Sequence, residues 1–186
     1  MGFDLLLLAP VGSILALGFA LYLGLSIMKK DEGTDTMKEI AQAVRIGAWA
    51  YLKRQYLGVS AFFVVMFFIL LFLAFKGYLV MFVPFAFLTG GFFSGLSAFI
   101  GMTTATQSSN RTAAAAMKSL NSGLRVAFSS GAVMGLTVVG LGLLDLSIWY
   151  YFLNWYYSSH PIPIGTEKIA AITSTMLCFG MGASSQ

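Results

Sequence analysis

The chain has 186 residues, of which 58% are hydrophobic and only 10% are charged, whereas soluble domains carry about 25% charged residues. This composition excludes a soluble globular protein. A disordered chain, a disulfide-stabilised secreted scaffold and a nucleic-acid binder are excluded too, because 15% of the residues are aromatic, there is one cysteine, and the net charge of +4 comes from few charged groups.

Five apolar stretches are long enough to cross a bilayer, since a spanning helix needs about 20 residues. They predict an all-α membrane protein, because a backbone in hydrocarbon must satisfy its own hydrogen bonds. Their hydrophobicity is continuous rather than alternating, which argues against an outer-membrane barrel. The predicted spans of this single membrane region, 1–186, are about 5–28, 56–75, 78–101, 126–148 and 167–186.

The basic residues predict the orientation of these spans. Nine of the eleven lysines and arginines lie in two connections, 29–55 and 102–125, and such an excess is typical of cytoplasmic loops. Before the first apolar run there is an acidic residue, Asp4, and no basic one, unlike a secretory signal. The N-terminus is therefore predicted outside, and Pro161 and Pro163 fall in an outer turn.

Side-chain patterns predict how individual helices begin and pack. Thr36 and Glu39 have the spacing of a capping box, which starts the second helix well before the membrane. A helix over 37–75 would be about 58 Å long, and its many phenylalanines suit a lipid-facing position. Small residues allow close helix contacts in lipid. The predicted contact faces are Gly91 with Gly95 on the third span, Gly131 with Gly135 on the fourth, and most of the fifth span.

The apolar spans contain few side chains that could relay protons or bind ions. There is no Asp, Glu, Lys, Arg or His in 56–75, 77–101, 126–144 or 169–186, so the chain by itself offers no proton relay or ion cage. Asp145 is expected at the outer interface in a solvated or packing role. The segment 103–125 is interpreted as a solvated basic loop, His160 as an exposed loop residue, and Cys178 as a small hydrophobe.

Three stretches carry a family resemblance. They are MKEIAQAVRIGAWAYLKRQY (37–56), GMTTATQSSNRTAAAAMKSLNSGLRVAFSSGAVMGLTVVGLGLL (101–144) and FGMGASSQ (179–186). With them the chain resembles the membrane-bound, ion-translocating pyrophosphatases. Ile46 departs from the pattern, because the family often has a charged residue there.

The resemblance implies a sixteen-helix homodimer in which an outer ring of helices surrounds an inner ring. The first four helices would belong to the outer ring and the fifth would open the inner one. The family hydrolyses cytoplasmic pyrophosphate bound with Mg²⁺ and moves H⁺ or Na⁺ outward, often with K⁺ stimulation. No catalytic, cofactor or metal-binding residue of the family matches a position here. Ser184 and Ser185 match positions near the ion path, with plain helix packing as the alternative.

The expectation is thus the N-terminal part of a longer pump chain, cut within the fifth helix at Gln186 and inactive alone. Its partners would be the remainder of its own chain, a second copy, and the lipid of a prokaryotic cell membrane. The alternative is a complete small membrane protein that serves as a structural or assembly subunit. A channel formed by oligomers is disfavoured, because the spans lack charges that would select ions.

Overall fold

The computed structural model of the chain describes residues 5–160 and 167–186. A short 3₁₀ turn, Leu5–Leu7, is followed by five α-helices. They are α1 (Leu8–Met28), α2 (Asp35–Phe75), α3 (Val83–Lys118), α4 (Leu120–Ser159) and α5 (Lys168–Ser184). The predicted all-α class is confirmed. Asp4, Pro161 and Pro163, which entered the prediction of orientation and of the outer turn, lie outside the described residues.

Four of the helices in the described part of the chain, α1 to α4, are long and apolar enough to cross a membrane. The longest, α2, has 41 residues and therefore extends about 60 Å, twice the thickness of the hydrocarbon core. The shorter α5 has 17 residues. This architecture is that of an integral, multi-pass membrane protein.

The start of α2 differs from the predicted capping box. The helix begins at Asp35, so Thr36 and Glu39 already lie inside it. Its cap is Thr34, whose Oγ1 accepts a hydrogen bond from the backbone N–H of Met37 at 3.4 Å. The prediction was wrong by two residues because the chain turns sharply just before Thr34.

The end of α2 shows why the helix stops after Phe75. Gly77 has a φ of +81°, a left-handed conformation that glycine adopts without steric penalty. The N–H of Tyr78 donates to the carbonyl of Leu73 at 3.1 Å, and the N–H of Gly77 donates to that of Ala74 at 3.0 Å. This is a Schellman motif, which satisfies the last carbonyls of the helix.

The connection predicted as a loop over 102–125 is helical except at Ser119. Four consecutive alanines, 113–116, favour helix strongly, so α3 continues to Lys118. At Ser119 the chain turns, and the Ser119 Oγ accepts a hydrogen bond from the N–H of Ser122 at 3.1 Å. Ser119 thereby caps α4, and the expectation of a solvated loop is wrong for this segment.

The described residues form two compact units. In the first, which takes residues from 5–10, 57–95, 142–160 and 167–186, the core is built from α3, α4 and α5. Its buried members are Ala86, Trp149, Leu153, Tyr157, Ala171, Ile172 and Phe179. In the second unit, 11–56 and 96–141, Ile27 packs with Val126 and Val133. There the buried Ser13 hydroxyl of α1 donates to the carbonyl of Gly140 on α4 at 2.7 Å.

The phenylalanines of α2 mostly face outward from the protein. Four of them are 45% to 72% exposed, which suits contact with lipid chains. Phe63 and Phe67 are the exceptions. The ring of Phe63 packs on Phe87 with 4.8 Å between the centroids, and that of Phe67 packs on Phe85 with 5.7 Å. The exposed members are Phe62, Phe68, Phe72 and Phe75.

Small residues bring α5 and α3 into backbone contact. A Cβ atom at Gly182 would collide with the carbonyl of Phe87, and one at Gly90 would collide with that of Phe179. By contrast, no atom of another helix comes within 4 Å of a Cβ placed at Gly131 or Gly135. The prediction that these last two residues form a contact face is therefore wrong within the described structure.

The contact between α3 and α5 can be tested with two glycines of one helix. We expect Gly182→Ala to lower the free energy of unfolding by about 1–3 kcal/mol, because the added methyl group overpacks a backbone contact. Gly180→Ala is the matched control, since nothing lies within 4 Å of its Cβ position, and it should be neutral or stabilise by up to about 1 kcal/mol. Thermal unfolding in detergent measures both, and equal effects would contradict the packing described here.

Candidate functional site

The end of α5 holds the two serines that the sequence singles out. Ser184 and Ser185 are both exposed. Their hydroxyls donate to the same carbonyl, that of Met181, at 3.2 Å and 2.6 Å. Each hydroxyl thus hydrogen bonds to its own helix while its oxygen stays accessible.

A second polar cluster lies where α1 ends. Arg111 of α3 is only 7% exposed, and its guanidinium donates to the carbonyls of Lys30 at 3.3 Å and Met28 at 3.5 Å. Its Nη1 also donates to the Gln107 carbonyl at 2.5 Å, and Nη2 pairs with Glu32 Oε1 at 2.6 Å. We call Arg111, Asn110 and Glu32 the Arg111 cluster.

The rest of the connection between α1 and α2 lies close to α3 as well. The Asn110 amide donates to the backbone carbonyl of Glu32 at 3.0 Å. Gly33 has a φ of +82°, and a Cβ there would lie 3.0 Å from the Cβ of Ala114. The N–H of Gly33 donates to Asp31 Oδ1 at 3.0 Å. Only glycine fits this turn, because both the conformation and the space exclude a side chain.

The sequence interpretation missed this cluster. It treated Arg111 as part of a solvated basic loop, and the structure corrects that interpretation because the guanidinium is buried against backbone carbonyls. Four alanines directly after the next residue, Thr112, are the one sequence signal of a helix here. The charge of Arg111 is matched by Glu32, which no local pattern identifies.

Asp145 also departs from its expected surroundings. It is 2% exposed rather than solvated, and its Oδ2 has no hydrogen-bond partner. The Thr89 side chain hydrogen bonds to the carboxyl group, and Thr89 Oγ1 accepts a hydrogen bond from the Trp149 indole at 2.9 Å. Of the two expected roles, the structure supports packing.

His160 and Cys178 lie apart from both clusters. His160 is exposed and stacks on Tyr156 with 4.3 Å between ring centroids. Cys178 is a free, half-buried thiol of α5. Among the described residues, neither belongs to a cluster of His, Cys, Asp or Glu side chains.

The described residues do not fit a magnesium site. Within 5–160 and 167–186, no group of three His, Cys, Asp or Glu side chains is close enough together to hold a metal ion. Mg²⁺ bound with a phosphate substrate needs carboxylate ligands, whereas Asp145 stands alone and Glu32 is engaged with Arg111. What these residues do is hold helices together.

Comparison with known proteins identifies the family. Residues 14–186 match the family described as inorganic H⁺ pyrophosphatase. The chain belongs to this family. The match covers α2 to α5 completely and α1 from its second turn onward.

Individual relatives of the pyrophosphatase family match nearly the whole chain. A Bacteroides thetaiotaomicron protein, provisionally named a K⁺-stimulated pyrophosphate-energized sodium pump, is 56% identical over 96% of this chain and 24% of its own length. A K⁺-insensitive pyrophosphate-energized proton pump 2 of Moorella thermoacetica is 41% identical over 97% of this chain and 24% of its own length. A K⁺-insensitive pyrophosphate-energized proton pump of Methanosarcina mazei is 38% identical over 78% of this chain and 21% of its own length. This pyrophosphatase-family chain therefore spans about a quarter of the length of these relatives.

The contacts of the Arg111 cluster predict how substitutions change the stability of the protein. We expect Arg111→Ala to destabilise the protein by about 2 kcal/mol or more, because buried carbonyls lose charged donors. Lys118→Ala is the control, since Lys118 reaches the same connection only through an exposed ion pair with Asp31 at 4.0 Å, and it should cost less than about 1 kcal/mol.

Limited proteolysis of the connection after Met28 measures the local effect, and thermal unfolding measures the global one. Faster cleavage in Arg111→Ala than in Lys118→Ala is the expected result. Equal cleavage rates would contradict the assignment of Arg111 as the residue that holds this connection.

Proposed function

We propose that this chain forms membrane scaffold helices of a pyrophosphate-energised cation pump. Such a pump hydrolyses inorganic pyrophosphate and uses the released free energy to move Na⁺ or H⁺ out of the cytoplasm. The observation that carries the proposal is the family match over 14–186, together with relatives at 56% and 41% identity that are named as such pumps.

A scaffold role is supported by the placement of polar groups. The stretches 56–75, 77–101, 126–144 and 169–186 carry no Asp, Glu, Lys, Arg or His, and the buried Arg111 pairs with the partly exposed Glu32, which fastens a connection. The carboxylates that bind Mg²⁺ with pyrophosphate, and any K⁺ site, are assigned to parts of the pump that correspond to the other three-quarters of the relatives.

In this proposal the pump is a homodimer of sixteen-helix subunits. Helices α1 to α4 belong to an outer ring, which the exposed phenylalanines of α2 support. Helix α5 opens the inner ring, and its exposed Ser184 and Ser185 hydroxyls line the ion path. Packing of these serines against other helices is the alternative role.

The transported ion in this proposal is Na⁺ or H⁺, and the residues that select it are assigned to the other three-quarters of the pump. The relative at 56% identity is named a sodium pump, whereas the two proton pumps compared above are 38% and 41% identical. The pump in this proposal lies in the cell membrane of a prokaryote, which the bacterial and archaeal organisms of these relatives support. The connection between α1 and α2 lies in the cytoplasm, which its excess of basic residues supports.

The proposed orientation can be tested by cysteine labelling in a Cys178→Ala background. Lys53 of α2 and Ser159 of α4 are both exposed, so either position accepts a cysteine. A membrane-impermeant maleimide added to intact cells should label Ser159→Cys and not Lys53→Cys, and inverted vesicles should give the opposite result. Labelling of Lys53→Cys in intact cells would contradict the orientation, and detergent-solubilised protein is the control for reactivity.

The scaffold function can be tested with a chimera. Residues 1–186 replace the matching quarter of the Bacteroides pump, and pyrophosphate-driven Na⁺ uptake is measured in inverted vesicles. If the helices are an equivalent scaffold, the chimera should pump at a rate within about tenfold of the Bacteroides protein, or about 1.4 kcal/mol in activation free energy. Removal of Mg²⁺ by a chelator should abolish the uptake.

The 186-residue chain assayed alone is the matched control, and it should release no phosphate from pyrophosphate. Phosphate release by the chain alone would contradict the assignment of the reaction to the other part of the pump.

A further inference from the structure

A polar groove lies between the end of α1 and the start of α4, within the second unit. It has a volume of about 480 Å³. Its polar walls carry two cations and several hydroxyl groups, from Ser26, Lys30, Ser122, Arg125 and Ser129. No acidic residue lines it.

Within 5–160 and 167–186, no carboxylate pairs with either cation of this groove. Lys30 and Arg125 are exposed, and in the described part of the chain neither has a carboxylate within 4 Å. The nearby acids Asp31 and Glu32 are engaged elsewhere, with Lys118 and with Arg111. The groove therefore presents a net charge of +2 together with hydroxyl donors, which is the chemistry that binds phosphate.

The position of the groove relative to the apolar helix segments indicates which phosphate compound binds there. Lys30 lies two residues beyond the end of the spanning helix α1, and Arg125 directly precedes the apolar run that starts at Val126. Both cations are thus at the level where lipid headgroups meet hydrocarbon. The buried, apolar Ile27 and Val126 line the same groove, and they suit the glycerol and first methylene groups of a lipid rather than a free ion.

We propose that this groove binds the phosphodiester headgroup of an anionic phospholipid, in the leaflet that meets the end of α1. The lipid phosphate bridges Lys30 and Arg125, and the hydroxyls of Ser122 and Ser129 donate to its oxygens. The bound lipid neutralises the unpaired charges and joins α1 to α4. This inference does not depend on which ion is transported or on the site of hydrolysis.

The proposal is tested by native mass spectrometry of the protein purified in detergent, titrated with phosphatidylglycerol, phosphatidylcholine or inorganic phosphate. Lys30→Gln with Arg125→Gln should weaken phosphatidylglycerol binding roughly 25-fold, because each cation near an anionic headgroup contributes about fivefold. Lys53→Gln with Arg54→Gln removes the same charge from two exposed α2 positions, and it should change binding less than about twofold.

Two further variants distinguish a loss of lipid binding from a loss of folding. Lys30→Arg with Arg125→Lys keeps the charges and should keep the binding, whereas Ser26→Phe fills the groove with both cations intact and should weaken it. Equal losses in the groove and control pairs would overturn the proposal, as would equal binding of phosphatidylcholine. Competition by inorganic phosphate at the same concentration as the lipid would show a free-anion site and would also overturn it.

Discussion

The order of the second unit depends on one guanidinium. The last carbonyls of any α-helix lack donors within the helix, and at the end of α1 those of Met28 and Lys30 are satisfied by Arg111. A planar group with five N–H donors can serve several acceptors at once, which a lysine in its place could not do with the same geometry. Because Glu32 neutralises the charge, the guanidinium can stay buried, and it fixes the connection so that α2 starts at a defined place.

The distribution of charged and apolar side chains in the rest of the chain also suits a membrane. Long stretches of α1 to α4 carry no charged side chain, and much of their surface is apolar and exposed, as with Phe68 and Phe72. Such a surface is stable in lipid, where backbone groups pair within helices and side chains need no water. In the proposed pump, this part contributes shape and anchoring, and the family relationship rather than any local residue connects it to pyrophosphate.

Much of this fold was predictable from sequence, because a long apolar segment in lipid must form a helix to satisfy its backbone hydrogen bonds. The all-α class and the outward position of most α2 phenylalanines follow from that constraint. The errors have a common cause in contacts between distant residues. Arg111 meets a partner 79 positions away, Asp145 of α4 is buried and hydrogen bonds to Thr89 of α3, and no described atom lies within 4 Å of a Cβ at Gly131. The continuation of α3 through its alanine run was the one error that local propensity could have prevented.

The crossing of α3 and α5 has a mechanical consequence. At Gly90 and Gly182 the two helices meet through main-chain atoms, and no flexible side chain lies between them to absorb displacement. Packed interfaces of this kind shift as rigid blocks rather than deform gradually. A displacement of α5 at this crossing is therefore passed directly to the backbone of α3 around Phe87 and Gly90.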